Sequence, residues 1–273
     1  PVMKPDRRTG KPKSRSGIYT SAVIAVLPDH HRLVLYQTNV GHAGEWLDEI
    51  LNNRPPTAPP ALIMSDALSW NRPSRGEYDQ ALCNAHSRRN FVEVGSRFPD
   101  EVEWVLQRYS LIWDHEDAVR EQQLTDTERL AYHQQHSLPV MTEIREQGQQ
   151  LLDSGEVEHN SALGEAWQYY LNHYEGLTAF CRIESAPLDN NAAEQILKLV
   201  IRGRKNSLFF KTPAGAAIAD VITSVVATAH GAGINVFDYL IVLQRHLDEV
   251  KQQPEAWLPW TYKQSLKAVK KAA

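Results

Sequence analysis

Cysteine is almost absent from this chain. Cys83 and Cys181 are the only two in 273 residues, too few for a disulfide framework, and the default setting for such a protein is a reducing cytoplasm. No uninterrupted apolar run approaches the ~20 residues that span a bilayer, so no membrane partner is expected. The N-terminal stretch is rich in Pro, Lys and Arg and lacks the apolar core of a signal peptide. The first residue is Pro1 rather than a methionine, so an upstream part is expected.

Net positive charge is also lacking: the chain sums to −4, which at first excludes a nucleic-acid partner. The distribution of charge points the other way. Residues 100–185 hold 17 Asp and Glu against 5 Lys and Arg, a local −12, so the remainder carries +8. Phosphate binding follows where charge sits rather than its total. An acidic insertion in a basic body is the expected picture.

What is present alternates between short strand-like and longer helical patterns. Residues 1–16 are a basic loop or arm without apolar period. IYTSAVIAVL (18–27) and RLVLYQT (32–38) are β-branched-rich and separated by Pro-Asp-His-His, a hairpin signal. GEWLDEIL (44–51) has helical spacing, and RPPTAPP (54–60) ends it. ALIM (61–64) reads as a short strand running into Ser65-Asp66, with a second strand at 80–83 and a helix over AHSRRNFVEV. From 98 to 186 Gly and Pro are sparse and apolar residues recur at helical spacing, which predicts an all-helical insertion. Residues 17–97 and 187–250 then form the two parts of one core, with 251–273 as a tail. Gly203 is expected to end the helix that begins after Asp189, its N-cap, and SLFF (207–210) to form a short strand before the helix AGAAIADVITSVVATAH. The fold class is α/β with a helical insertion and C-terminal helices.

Three local features carry chemistry. Asp66 stands at the carboxyl end of a strand, where ligands gather in open α/β sheets. A plain turn residue is the competing reading. In DNNAAEQILKLVIRGRKN (189–206), Asn190, Glu194, Lys198 and Arg202 share one helical stripe, while Leu188, Ala192, Ile196, Leu199 and Val200 can face a core. A solvated i,i+4 Glu–Lys pair explains Glu194 and Lys198. It leaves Arg202, Arg204, Lys205 and Lys211 unexplained, because no acidic residue occurs from Gln195 to Ala219. Such a cluster suits a phosphate track, with solvated charge as the alternative. In CNAHSRR (83–89), Cys83 and His86 lack a second pair at zinc-finger spacing. Arg88 and Arg89 suit DNA-backbone contacts, with structural ion pairs as the competitor.

Taken in order, SDALSW (65–70), CNAHSRR and DNNAAEQILKLVIRGRKN resemble the transposases of the insertion sequence 66 family, from about Pro1 to His246. The resemblance implies a ribonuclease-H-like mixed sheet whose three carboxylates bind two divalent ions, Mg²⁺ or Mn²⁺. Asp66 would be the second carboxylate and Glu194 the third, with His86, Asn190 and Asn191 near the site. Arg88, Arg89, Lys198, Arg202, Arg204 and Lys205 would contact DNA. The first aspartate would lie a few residues before Pro1, and Asp6, in a Pro/Arg-rich loop, is a poor substitute. Gln195 replaces the arginine usual in the family and puts one DNA contact in doubt. The chemistry fits: two Mg²⁺ ions ~3.5–4 Å apart can activate a hydroxyl and stabilise a leaving 3′-oxygen, and they take oxygen ligands.

The implied partners are transposon ends and target DNA, with a homo-oligomer assembled on them in the bacterial cytoplasm at the nucleoid. The second reading is a catalytically inactive, transposase-derived DNA-binding or assembly fragment. A third, an unrelated helical scaffold with an α/β cap, explains the periodicity but not the ordered strings.

Overall fold

The computed structural model describes residues 18–207 and 212–272; the side chains of 199, 202–207 and 270–272 lie outside that description. The basic arm (1–16), residues 208–210 of the strand expected at SLFF, and Lys211 therefore fall outside the described residues, while Ser207 is helical. The protein is mixed α/β and mostly helical, with two small sheets among the described residues. It divides into two compact units: one takes the chain up to His42 and from Ala193 onward, the other Ala43–Ala192.

The first unit opens with a hairpin, β1 (Tyr19–Val26) antiparallel to β2 (Arg32–Asn39), in register from Tyr19↔Asn39 to Val26↔Arg32. The Pro-Asp-His-His turn places His30 at a φ of 63°, a left-handed backbone for which Asn, Asp and His are the favoured non-glycine residues.

The second unit runs α1 (Ala43–Asn52), β3 (Ala61–Ser65), β4 (Tyr78–Leu82), α2 (Asn84–Val94), α3 (Pro99–Glu121), α4 (Asp126–Asp153) and α5 (Ala162–Leu177). Strands β3 and β4 are parallel, from Ala61↔Tyr78 to Ser65↔Leu82. On α3, Val102, Val105, Tyr109, Ile112 and Val119 are buried, the three-and-four spacing of one helical face. The first four of these join Phe91, Met141, Ile144, Trp167, Tyr170 and Phe180 in a single core. Thr125 and Glu128 start α4 with a reciprocal capping box, which satisfies two otherwise orphaned N–H groups. Gly176 lets α5 lie against β4: a Cβ there would fall 2.6 Å from Leu82 Cγ.

The chain then passes through α6 (Asn191–Ser207), α7 (Pro213–Gly231), α8 (Val236–Arg245), α9 (Leu247–Gln252) and α10 (Tyr262–Ala272). Helix α6 does not stop at Gly203 but continues to Ser207. A lone helical glycine costs ~1 kcal/mol relative to alanine, too little by itself to end a helix. Ala192 is exposed rather than core-facing, whereas Ile196 and Val200 pack toward Val34 and Tyr36 as the spacing predicts. Helix α10 and the short turn Pro254–Trp257 pack on α7 and α8 in an apolar cluster of Ala229, Tyr239, Trp257 and Tyr262.

Helix α7 is long and apolar enough, by length and composition alone, to cross a bilayer, with a mean hydropathy of 1.3 over its most apolar stretch. Uninterrupted apolar runs do not reveal this. Its polar residues have another use: Asp220, Ser224 and Thr228 form a stripe along β2. Asp220 accepts the Thr38 N–H at 2.6 Å and the Thr38 hydroxyl at 2.8 Å. Ser224 Oγ accepts the Tyr36 N–H at 2.9 Å, and Thr228 Oγ1 the Val34 N–H at 3.0 Å. Four helical residues rise about 6 Å and two strand residues about 6.8 Å, so every fourth residue of the helix meets every second residue of the strand.

Candidate catalytic and nucleic-acid site

The parallel pair in the second unit ends where two of the sequence motifs begin. Ser65 closes β3, and its carbonyl accepts the Cys83 N–H at 3.0 Å. Cys83 is in turn the residue before α2. Asp66 follows Ser65 directly, half-buried. Its Oδ1 accepts from Asn71 Nδ2 at 2.7 Å and from the Leu68 N–H at 3.2 Å. Both bonds go to one oxygen, so the carboxylate is oriented and Oδ2 has no partner among the described residues. The turn reading of Asp66 is thus correct in part, since the Leu68 bond is an Asx turn. It accounts for Oδ1 alone.

The start of α2 clasps the segment leading into α6. The Asn84 N–H and Nδ2 both donate to the Leu188 carbonyl at 3.2 Å, and Nδ2 also reaches the Leu177 carbonyl at 2.9 Å. Cys83 Sγ accepts the Asn190 N–H at 3.4 Å. Burial pushes the Cys83 thiol up, against the pull of the Asn190, His86 and Ala85 N–H groups. Asp189 accepts the Asn191 N–H at 2.9 Å and the Asn191 side-chain amide at 2.8 Å. It therefore restrains the first residue of α6 from two positions back. The Oδ1 atoms of Asn84 and Asn190 are buried without a partner among the described residues.

Two residues of α5 near the strand ends escape sequence reasoning. Tyr169, on α5, has its phenol pushed up to about 12, first by burial and then by the charges of Cys83 and Asp66. His173, one turn on, packs edge-on against Tyr169 at 4.6 Å and is held below its usual range by burial and the charge of Arg72. Arg72 itself reaches the Ala67 carbonyl at 3.4 Å. Nothing in the local string WQYYLNH marks Tyr169, because only the packing of α5 on β4 brings it to the strand ends.

The second unit therefore holds Asp66, His86, Arg88, Arg89, Asn190 and Asn191, whereas Glu194 and Lys198 belong to the first unit. Arg88 and Arg89 are exposed on α2, with no ion pair or hydrogen bond among the described residues. Glu194 is half-buried and Lys198 exposed. The side chains of Arg202, Arg204 and Lys205 lie outside the described residues. No group of three or more His, Cys, Asp or Glu side chains suited to a metal ion occurs among the described residues.

Comparison with known proteins gives these motifs a family. The family model described as "Transposase IS66 family" matches residues 1–218. The chain belongs to that family. It is 32% identical over 191 residues to the uncharacterized protein y4jD of Sinorhizobium fredii (strain NBRC 101917 / NGR234), covering 67% of this chain and 36% of that protein. It is 28% identical over 199 residues to y4hP of the same strain, covering 68% and 35%. The chain thus spans about a third of the length of these curated relatives. No solved structure matches.

Proposed function

We propose that this chain is part of the catalytic body of a DNA transposase that cleaves phosphodiester bonds at element ends and joins them to target DNA. The observation that carries this reading is the oriented carboxylate of Asp66 at the carboxyl end of a parallel strand, within the stretch that matches the transposase family. A ribonuclease-H-like arrangement is the architecture we infer. The antiparallel hairpin and the parallel pair are both components such a mixed sheet requires.

Asp66 and Glu194 are the inner carboxylates of this proposal. Their oxygens suit Mg²⁺ or Mn²⁺, which prefer hard donors. When bound, such ions lower the pKa of a nucleophilic hydroxyl and stabilise the departing oxygen. Asn71 and the Leu68 N–H fix one oxygen of Asp66, so that the group need not reorganise to receive a cation. His86, Asn190 and Asn191 flank that region, and Arg88, Arg89, Lys198, Arg202, Arg204 and Lys205 hold backbone phosphates. The protein works on DNA in the bacterial cytoplasm as a homo-oligomer.

A second reading is an inactive DNA-binding or assembly fragment derived from such an enzyme. One experiment separates the two. In the full-length protein, Glu194→Gln and Asp66→Asn should each abolish Mg²⁺-dependent cleavage of element ends while leaving DNA binding intact. Unchanged cleavage by Glu194→Gln refutes the catalytic assignment. Absence of cleavage by the unaltered protein, with DNA binding retained, establishes the second reading.

A further inference from the structure

Beside the strand ends, the second unit carries a cavity of about 490 Å³ between α2 and α3. Its walls include Arg88, Arg89 and Val92 from α2, Ser110 and Trp113 from α3, and Asn191 from the first turn of α6. A second hollow of about 450 Å³ shares Arg88 and Ser110 and continues past Pro99 and Leu106. The two make one groove along the α2–α3 seam.

The chemistry of these walls is selective. Two guanidiniums without carboxylate partners among the described residues are a ready phosphate clamp, since arginine matches phosphate oxygens with paired N–H donors. Trp113 supplies a large π surface. Tyr109 packs behind it, ring centroids 5.8 Å apart and tilted by 54°. Tyr109 is itself buried and donates its hydroxyl to Ser87 Oγ at 2.8 Å. The indole is thereby seated on the core, which lowers the entropy lost when a ring stacks on it. Asn191 offers an amide that can both donate and accept, as a base edge requires. Its own orientation is fixed by Asp189 at 2.8 Å. Glu103 lines the adjoining hollow but not the first, which leaves the Arg88–Arg89 end as the place for a polyanion.

We infer that this groove binds an unpaired nucleotide of a DNA strand, with its base stacked on Trp113 and its phosphates on Arg88 and Arg89. A duplex keeps its base faces inside the stack and can offer the indole only an edge. An unpaired base offers a face of any sequence. The volume suits one nucleotide, since cavities that enclose small ligands run from ~300 to ~1,000 Å³. The inference rests on the DNA-binding reading above and adds to it a preference for unpaired strand at this place.

The test measures binding of the full-length protein to a blunt DNA duplex and to the same duplex with a short single-stranded tail carrying 2-aminopurine. The tail should tighten binding on the order of ten-fold, the scale of one base–aromatic stack, and the 2-aminopurine fluorescence should be quenched. Trp113→Leu should remove that gain and the quenching while leaving blunt-duplex affinity unchanged. Arg89→Ala, at an exposed position that folding does not need, should weaken tailed DNA more than blunt DNA. If blunt duplex binds and the tail adds nothing, the groove assignment is overturned and the DNA reading stands. If neither DNA binds, both are overturned. Equal gains for DNA and RNA tails would refute its restriction to DNA.

Discussion

Replacing Asp220 by alanine probes how the hairpin of the first unit is held. The residue is only 8% exposed, and its carboxylate takes two bonds from Thr38, one from the backbone N–H and one from the hydroxyl. Hydrogen bonds to a charged group contribute ~1.5–3 kcal/mol each. Removing the carboxylate also relieves its own desolvation, so the net loss should be ~2–4 kcal/mol rather than the full sum. A chain with two compact units need not unfold in one step, and a global denaturation curve would blur the effect. Native-state amide hydrogen exchange resolves it. In Asp220→Ala, protection at Val34, Tyr36 and Thr38 should fall by about 30-fold or more, the exchange equivalent of ~2 kcal/mol. Amides of α5 around Tyr170, in the other unit, should not change. Asp220→Asn retains one acceptor oxygen and should show a smaller loss. Protection at the three β2 amides that stays within about two-fold of the unaltered protein would refute the role assigned to the stripe.

Other perturbations test other parts of the molecule. Gly176→Ala places a methyl 2.6 Å from Leu82 Cγ and should cost ~1–3 kcal/mol by overpacking; urea denaturation would show it, and a shortened partner in Gly176→Ala/Leu82→Ala should recover part of the loss. Glu116 accepts from His133 Nε2 and Arg129 Nη2 at 2.9 Å each, and although burial alone would raise its pKa, these partners hold it below the usual 4.5. A lowered folded-state pKa contributes stability that is present above 4.5 and lost as pH falls through the folded value. Glu116→Gln should therefore lower stability by ~2 kcal/mol at neutral pH, with the difference shrinking in acid; a gap that widens below 4.5 would contradict the assignment. Alanine at Lys198, Arg202, Arg204 and Lys205 together should flatten the logarithmic salt dependence of DNA binding by ~0.9 for each phosphate no longer neutralised, and an unaltered slope would remove that stripe from the interface.

Elements with a strong local period are legible in the sequence alone. Alternating β-branched residues around Pro-Asp-His-His place the hairpin, and four apolar residues after a Pro-rich break place β3. The ordered strings around Asp66, Cys83 and Asp189 suffice to name the family. Features that depend on what lies across the fold are not legible in this way. Asp220, Ser224 and Thr228 look like incidental polar residues in an apolar helix until β2 is laid beside them. Tyr169 and Trp113 sit in aromatic-rich helices where core packing is the ordinary explanation, and only the meeting of α5 with β4 and of α2 with α3 separates them from the rest. Gly203 misleads because the small cost of a glycine counts for little when helix-forming residues continue on either side of it.

The clamp of α7 on β2 also gives the hairpin a direction of growth. The N–H groups of Val34, Tyr36 and Thr38 are already spent on side chains, so an incoming strand finds no ladder to extend on that flank. Strand β1, by contrast, is paired only with β2 among the described residues, and its residues Thr20–Ala25 are half-buried. Among the described residues, β1 is therefore the flank from which this sheet can be widened, by another stretch of the same polypeptide or by a second molecule. Helix α7 is a stop as well as a support.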